Sequence, residues 1–153
     1  MKNRRIIEIL EERGILLDDL VSSGMELFVP HGRLKSKKRA SGIFRNMLVD
    51  ALEDINVSSL IMAGLRLDDD GSQGLIPGLN IEDFKKDAVN ILADEILGMA
   101  IAEYIGGTRA RFEYVRYDMK KPGILKRLGP FADDVICGVI AGVSSQMYTE
   151  AVK

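Results

Sequence analysis

The sequence is poor in the residue types on which several large classes of enzyme depend. It contains one cysteine, Cys137, and one histidine, His31, so it offers no cysteine and histidine cluster for zinc and little support for a catalytic triad. Neither GxxxxGK[ST] nor GxGxxG occurs, which argues against the common nucleotide-binding loops. His31 stands between Pro30 and Gly32 and is interpreted as a turn residue. Cys137 lies in an apolar run and is interpreted as a small core side chain.

Long apolar runs and an excess of charge of one sign are also missing. The longest apolar stretch, residues 135–143, is shorter than the roughly 20 residues that a helix needs to cross a bilayer. The 21 basic and 23 acidic residues leave a formal net charge of -2, so no whole-molecule field would attract nucleic acid or an anionic membrane. A single cysteine indicates a reducing compartment. These absences predict a cytoplasmic protein with no transmembrane segment and no nucleic-acid partner.

Apolar residues recur mostly at helical spacing, and clusters of Gly, Pro and Asp divide the segments, which predicts an all-α protein. We predict a single domain over residues 1–153, folded as a multi-helix bundle of about six helices. The segment 110–117 fits either a helix or a short strand. The helices are placed at residues 3–13, 18–27, 41–55, 58–67, 81–105 and 132–151, with Ser41, Ser58 and Asn80 as caps.

Two polar stretches are predicted to be loops between helices. Residues 29–42 contain five basic residues within 33–39, and residues 67–80 combine three aspartates with glycines and a proline. Each stretch fits a solvated connection between helices. The basic run also fits a loop that attracts an anion, and both interpretations stay open at this stage.

Two acidic pairs stand at the start of helices that are rich in small residues. Asp94 and Glu95 precede ILGMAIA, and Asp133 and Asp134 precede VICGVIAG. One carboxylate at a helix start is an ordinary cap, a role that Asp133 can fill in the second pair. The other carboxylate must be solvated, paired with a cation or bound to a metal, because an unpaired buried carboxylate is costly.

A stripe of small residues lies below each acidic pair at helical spacing. Small side chains let two helix backbones approach closely, which would hold the two acidic pairs at the same level. Four converging carboxylates repel unless a hard divalent cation such as Mg²⁺ lies between them. The alternative is that the pairs cap two unrelated helices and face water. The stripes are Gly98, Ala102 and Gly106 below Glu95, and Gly138, Ala141 and Ser145 below Asp134.

The segment RYDMKKPG, residues 116–123, lies between these two helices in the sequence. It offers Asp118 as an oxygen ligand or a nucleophile, before a Pro-Gly pair imposes a turn. Its cations are Arg116, Lys120 and Lys121. Carboxylates beside cations suit phosphoryl chemistry, in which a metal and positive side chains stabilise the charge on the phosphoryl oxygens. An exposed, charged turn is the alternative.

These segments resemble the three motifs of the phosphatidylglycerophosphatase A superfamily in order and spacing. The segments are DEILGMAIA at 94–102, YDMKKPGILKRL at 117–128 and GPFADDVICGVIAG at 129–142, and the resemblance covers residues 92–145. It implies a phosphatidylglycerophosphatase A-like fold and a phosphatase that removes phosphate from phosphomonoesters with one or two Mg²⁺ ions. The metal ligands that it implies are Asp94, Glu95, Asp133 and Asp134.

The resemblance also implies roles for two residues of the middle motif. Asp118 would be a ligand or the residue that activates or performs the attack, and Lys121 would hold the phosphate. Arg116 and Lys120 are added as phosphate-binding candidates because of their charge and proximity. Whether Asp118 forms a phospho-aspartyl intermediate or water attacks directly stays open.

The N-terminal half bears on the substrate. Membrane members of the superfamily have long apolar spans and a Gly/Thr/Ser-rich motif that this sequence lacks. ILEERGILLDDLV, NVSSLIMAGLRLDDDG and GLIPGL are instead similar to the soluble archaeal-type α-ribazole-5′-phosphate phosphatases, which act in assembling the nucleotide loop of cobalamin. The resemblance implies α-ribazole 5′-phosphate as the substrate, with phosphatidylglycerophosphate or another phosphorylated metabolite as the alternative.

A non-catalytic alternative is a helical interaction module. In that case the acidic pairs are caps and the stripes of small residues form a protein interface. The stripes and the small size of the chain also lead us to expect a homo-oligomer.

Overall fold

The computed structural model describes residues 3–87 and 90–153 and folds most of them into helices. The helices are α1 Ile6–Glu12, α2 Leu17–Glu26, α3 Lys37–Glu53, α4 Ile55–Ser72, α5 Ile81–Lys85, α6 Ala93–Gly106, α7 Arg109–Lys120, a 3₁₀ helix at Gly123–Arg127, and α8 Pro130–Ala151. These two ranges contain no strand, and the prediction of an all-α protein is confirmed. None of the described helices has both the length and the apolar character required to cross a bilayer.

Helix α8 lies at the centre of the fold. Every residue from Phe131 to Ser145 is buried, and α3, α4, α6 and α7 pack around it. A helix that is apolar on all sides has to be covered on all sides, which explains this arrangement. Cys137 is fully buried in α8, as the sequence predicts for a core side chain.

Helices α6 and α8 approach each other closely because glycines face glycines. A Cβ atom on Gly138 would overlap the carbonyl oxygen of Gly98. Two turns further along, a Cβ atom on Gly106 would lie 2.6 Å from the carbonyl oxygen of Gly142. The helices therefore run in the same direction with their first turns side by side, and the predicted approach of the two stripes is confirmed. Because the stripes are used within the chain, they do not support the expected homo-oligomer.

Several helix boundaries differ from the prediction because the capping residues lie elsewhere. The side chain of Ser36 caps α3, so the predicted cap Ser41 lies inside the helix. Asp54 caps α4 by accepting hydrogen bonds from two backbone amides, and Ser58 lies inside that helix. Asn80 caps α5, as predicted. Both α3 and α4 are consequently longer than predicted, and they take up part of each predicted loop.

The predicted helix over residues 81–105 is two helices, so the count of six is wrong for the described part of the chain. α5 ends at Lys85, and α6 begins at Ala93. Asp87 has a φ of 50° in the turn between them, a left-handed conformation that glycine usually supplies. The break therefore has no glycine or proline signature in the sequence. Residues 88 and 89, within the predicted helix, lie outside the described residues.

The ambiguous segment 110–117 is helical and belongs to α7. Gly107 and Thr108 connect α6 to α7, and α7 runs back along α8 in the opposite direction. The last turn of α7 therefore reaches the level at which α6 and α8 begin. Three helix ends meet there, and they carry the two acidic pairs and the charged segment 116–123.

Candidate metal centre

The acidic residues predicted from the sequence come together at this meeting of helix ends. Asp94 and Glu95 lie in the first turn of α6, Asp133 and Asp134 in the first turn of α8, and Asp118 in the last turn of α7. One carboxylate oxygen each from Asp118, Asp133 and Asp134 lies within 4.8 Å of the others. We call the residues Asp94, Glu95, Asp118, Asp133 and Asp134 the acidic cluster. Asp94, Asp133 and Asp134 are 2%, 6% and 3% exposed, so three of its carboxyl groups are buried.

The ammonium group of Lys121 pairs with the acidic cluster. Its Nζ donates a hydrogen bond to Asp118 Oδ1 at 2.6 Å and another to Asp133 Oδ2, and it lies 3.8 Å from Asp134 Oδ1. Lys121 follows the last residue of α7 in a left-handed conformation, and its backbone N–H donates to the carbonyl oxygen of Tyr117. The α7 terminus therefore aims this side chain back at the start of α8.

Burial and repulsion shift the pKa values of the cluster. Burial raises the pKa of Asp133 to about 6, although its hydrogen bond with Lys121 acts in the opposite direction. Burial, followed by the interactions with Asp94, raises the pKa of Asp134 well above its usual range. Burial lowers the pKa of Lys121, but hydrogen bonds to Asp118 and Asp133 outweigh it and hold that pKa above its usual range. Burial therefore makes the Asp133 and Asp134 carboxylates hold a proton more readily than exposed aspartates do.

The first turn of α8 is capped from another helix. Asp68, in the last turns of α4, accepts hydrogen bonds from the backbone N–H groups of Phe131 at 2.8 Å and Ala132 at 2.7 Å. The expectation that Asp133 serves the helix end is wrong, because α8 has no side-chain cap from its own N-cap residue and Asp68 takes that role. Neither aspartate of the pair is therefore needed to cap α8, and Asp133 accepts a hydrogen bond from Lys121 instead.

One oxygen of Asp133 is buried without a partner. Within residues 3–87 and 90–153, Asp133 Oδ1 is inaccessible to solvent and accepts no hydrogen bond. A buried carboxylate oxygen in this condition loses its hydration without compensation. A hard cation bound between the carboxylates would supply the missing partner, since such cations take oxygen ligands. The donor set consists of carboxylate oxygens, the ligand type that hard divalent cations take.

Comparison with known proteins places the chain in a family. No family model matches the sequence. The uncharacterized protein MJ1330 of Methanocaldococcus jannaschii is 33% identical over 132 residues, which span 84% of this chain and 99% of that protein. The chain belongs to the MJ1330 family. The alignment covers nearly the whole of MJ1330, so the two proteins correspond along their length.

Three solved structures share the fold of this MJ1330-family chain. The low temperature requirement C protein of Listeria monocytogenes matches with a TM-score of 0.77 and 23% identity, over 95% of this chain and 93% of that one. A protein of unknown function from Bacillus stearothermophilus has a TM-score of 0.79 and 22% identity over 95% and 96%. The protein ypjQ from Bacillus subtilis has a TM-score of 0.75 and 22% identity over 95% and 91%. At these identities the similarity concerns the fold alone.

The two phosphate-binding candidates added on charge and proximity lie outside the acidic cluster. Arg116 donates to both carboxylate oxygens of Glu113 and, at 2.7 Å, to the carbonyl oxygen of Leu27. Its guanidinium also lies 5.1 Å from the ring centre of Tyr117. Lys120 is exposed and forms no ion pair among the described residues. Of the three cations in the middle motif, the fold brings only Lys121 to the carboxylates.

Two further residues belong to the surroundings of the cluster and were missed by sequence reasoning. Burial and the charge of Asp94 raise the pKa of Asp87, so its carboxylate lies in the field of the cluster. Tyr114 is buried with a hydroxyl group that has no hydrogen-bond partner among the described residues, next to Gly98. Burial and the neighbouring Asp134 raise its pKa above the usual range. Neither residue stands in a motif that could have indicated this position.

The basic run lies at the far end of the molecule. Arg33 and Arg39 line a hollow together with Glu150 and Ala151, at the C-terminal end of α8. Asp134 is near the N-terminal end of that helix, about 25 Å away at 1.5 Å per residue. The basic residues therefore do not contribute to the acidic cluster, and a route from this run to the cluster has no support in the fold.

Proposed function

We propose that this member of the MJ1330 family is a Mg²⁺-dependent phosphomonoesterase of the phosphatidylglycerophosphatase A type. The observation that carries the proposal is the grouping of the Asp118, Asp133 and Asp134 carboxylates around Lys121, with a buried oxygen of Asp133 left without a partner among the described residues. Asp94 and Glu95 lie in the neighbouring first turn of α6. The three motifs that resemble the superfamily are the segments that contribute these residues. Structural capping does not account for both residues of the α8 pair, because Asp68 caps that helix.

The proposed cation ligands are the carboxylates at the starts of α6 and α8. They are Asp94, Glu95, Asp133 and Asp134, and one or two Mg²⁺ ions would bind among them. When bound, Mg²⁺ would supply positive charge that stabilises the phosphoryl oxygens during hydrolysis. Because the carboxylates repel one another in the absence of a cation, the close packing of Gly98 on Gly138 is needed to hold the two pairs together.

Asp118 and Lys121 are the proposed catalytic pair. Asp118 would take the proton of the attacking water, and the bond from phosphorus to the ester oxygen would break as the water oxygen bonds to phosphorus, leaving inorganic phosphate. Alternatively, Asp118 would attack the phosphorus atom itself, and water would then hydrolyse the phospho-aspartyl group to inorganic phosphate and restore the carboxylate. In both cases the leaving alkoxide takes up a proton. Lys121 would donate hydrogen bonds to the phosphate oxygens, since its ammonium is within hydrogen-bond reach of Asp118 and is partly exposed.

The proposed substrate is α-ribazole 5′-phosphate, which would be hydrolysed to α-ribazole. This part of the proposal is supported by the similarity of the N-terminal half to the archaeal-type α-ribazole-5′-phosphate phosphatases. The competing substrate is phosphatidylglycerophosphate or another phosphorylated metabolite. A lipid drawn to the site by the basic run is disfavoured by the distance of that run from the acidic cluster.

Phosphate release from the two candidate substrates tests the proposal. The purified full-length protein is incubated with Mg²⁺ and either α-ribazole 5′-phosphate or phosphatidylglycerophosphate in detergent micelles, and Asp134→Asn serves as the control for contaminating phosphatase. We expect release from α-ribazole 5′-phosphate that Asp134→Asn abolishes. Release from the lipid alone would overturn the proposed substrate. If α-ribazole 5′-phosphate, the lipid and a generic phosphomonoester all remain intact, the proposed activity is overturned.

A further inference from the structure

Lys121 occupies the position in the acidic cluster where a cation would bind. Its ammonium group donates to Asp118 and Asp133 and lies 3.8 Å from Asp134, and these are the three residues whose oxygens lie within 4.8 Å of one another. An ammonium group and a divalent ion both need these oxygens, and the two positive charges repel each other at such short range. A divalent cation bound to these oxygens would compete with the Lys121 ammonium group.

We infer that Lys121 is a built-in counter-ion of the metal-free site, and that a divalent cation binds by displacing its ammonium group. The inference rests on the cation-binding part of the proposed function. It also gives Lys121 its second role, because the displaced ammonium stays next to the cluster and becomes free for a phosphate oxygen. Cation binding therefore precedes productive binding of the phosphate.

The backbone at Lys121 supports a side chain that moves while its anchor stays fixed. The residue has φ 47° and ψ 56°, its N–H is bonded to Tyr117 at 2.8 Å, and the buried Pro122 follows it. Glycine usually occupies this left-handed position after a helix, because a side chain makes the conformation less favourable. The side chain itself is about one third exposed, so the four-carbon stem can swing toward solvent.

The carboxylate of Asp133 is only partly satisfied by the Lys121 ammonium group. Its Oδ2 is bonded to Lys121, but its Oδ1 is buried and unpaired within the described residues. The residue is only 6% exposed. A cation that takes several oxygen ligands would satisfy the oxygen that the lysine leaves unpaired.

Calorimetric titration with MgCl₂ and with MnCl₂ tests the competition directly. Wild type, Lys121→Met and Lys126→Met are compared at pH 8, where protons compete less for the carboxylates. Lys126 is an exposed lysine of the 3₁₀ helix that forms no ion pair among the described residues. Lys126→Met therefore removes the same charge as Lys121→Met, but away from the carboxylates. We expect Lys121→Met to bind the cation at least about tenfold more tightly than wild type and Lys126→Met to be like wild type. Equal or weaker binding by Lys121→Met would overturn the inference.

Thermal unfolding of the same proteins gives a second readout. Without a divalent cation, Lys121→Met is expected to melt at a lower temperature than wild type, because the carboxylates lose their counter-ion. Saturating Mg²⁺ is expected to raise its melting temperature by more than it raises that of wild type. A smaller rise than in wild type would count against displacement.

Lysine acetylation of the wild-type protein keeps the inference testable if Lys121→Met does not fold. Brief treatment with acetic anhydride, followed by peptide mass spectrometry, measures the reactivity of Lys121 with and without Mg²⁺, with Lys126 as the internal reference. We expect Mg²⁺ to increase acetylation of Lys121 severalfold relative to Lys126. Unchanged or reduced acetylation at a saturating Mg²⁺ concentration would overturn the inference.

The outcomes separate this inference from the proposed phosphatase. A cation that displaces Lys121, in a protein that hydrolyses no phosphomonoester, leaves the inference standing and refutes the proposed activity. Mg²⁺-dependent hydrolysis with Lys121 still shielded refutes the inference and leaves the activity standing. Absence of divalent cation binding refutes both.

Discussion

The backbones of Gly98 and Gly138 are in direct contact where α6 and α8 pack together. A Cβ atom on Gly138 would overlap the carbonyl oxygen of Gly98, and a Cβ atom on Gly98 would overlap the carbonyl oxygen of Asp134. No rotation of a side chain can relieve either overlap, because both obstacles are backbone atoms. This contact fixes the first turns of the two helices side by side and so sets the spacing of the acidic pairs.

The first prediction concerns this contact. Gly138→Ala forces α6 and α8 apart, and we expect it to lower the free energy of unfolding by about 1–3 kcal/mol or more. Urea denaturation followed by circular dichroism measures the change. Gly42→Ala is the matched control, since Gly42 lies in α3 with open space at its Cβ position and should gain up to about 1 kcal/mol. Equal stability of the two variants would contradict this account of the packing.

The second prediction concerns Asp68. Replacing it with Asn leaves only one acceptor oxygen for the two amides of Phe131 and Ala132 and puts an NH₂ donor near one of them. We expect Asp68→Asn to lose about 1–2 kcal/mol of stability and to bind Mg²⁺ more weakly, because the first turn of α8 carries two cluster residues. Urea denaturation and calorimetric titration measure the two effects.

The control for Asp68 is its neighbour Asp70. The side chain of Asp70 makes no hydrogen bond within the described ranges, so Asp70→Asn is expected to resemble wild type in both measurements. If Asp68→Asn loses stability but binds Mg²⁺ like wild type, the cap is structural only and does not position the cluster.

The third prediction concerns pH. Burial raises the pKa of Asp133 to about 6 in the folded protein, above its ordinary value, so the folded state binds this proton more tightly than the unfolded chain does. Its contribution to stability is therefore present at low pH and is lost as the pH rises through about 6. Comparing the unfolding free energies of metal-free wild type and Asp133→Asn from pH 4 to pH 7 isolates this contribution, since other carboxylates titrate in both proteins.

The affinity for Mg²⁺ should depend on pH in the opposite sense. A carboxylate must lose its proton to bind a metal, so the affinity of wild type should rise as the pH increases through about 6. Calorimetric titration at several pH values measures the trend. An affinity that does not change between pH 5 and pH 7 would show that Asp133 is not a ligand.

The sequence was most informative where a single physical constraint determines the structure. Gly98 and Gly138 could be paired in advance because only residues without side chains allow two backbones to touch, and helical spacing placed each of them below a carboxylate. The same reasoning placed Glu95 and Asp134 above the two stripes, whereas Asp118 was singled out in the charged segment between the two helices. These carboxylates come close together because the starts of α6 and α8 and the end of α7 lie at the same level.

Other features depend on contacts between segments that are distant in the sequence. Asp68 caps α8 from 63 residues away, and nothing in LDDDG distinguishes it from its neighbours. Arg116 looked equivalent to Lys121 on charge alone, but it faces Glu113 and Leu27 on another side of α7. The break before α6 was missed because Asp87 takes a conformation that glycine usually marks. The local sequence pattern does not predict these features, because they depend on contacts or conformations that appear only in the folded chain.

The most direct test of the proposed site is the rate of phosphate release as a function of Mg²⁺ concentration. The rates of wild type, Asp134→Asn and Asp50→Asn are measured at pH 8 with α-ribazole 5′-phosphate as the substrate. Asp50 is an exposed aspartate of α3, and Asp50→Asn is the matched control. We predict saturable dependence on Mg²⁺ for wild type and Asp50→Asn, and a rate at least about a hundredfold lower for Asp134→Asn. Release that does not require a divalent cation, or a wild-type rate for Asp134→Asn, would contradict the proposal that the acidic cluster is a metal-dependent phosphatase site.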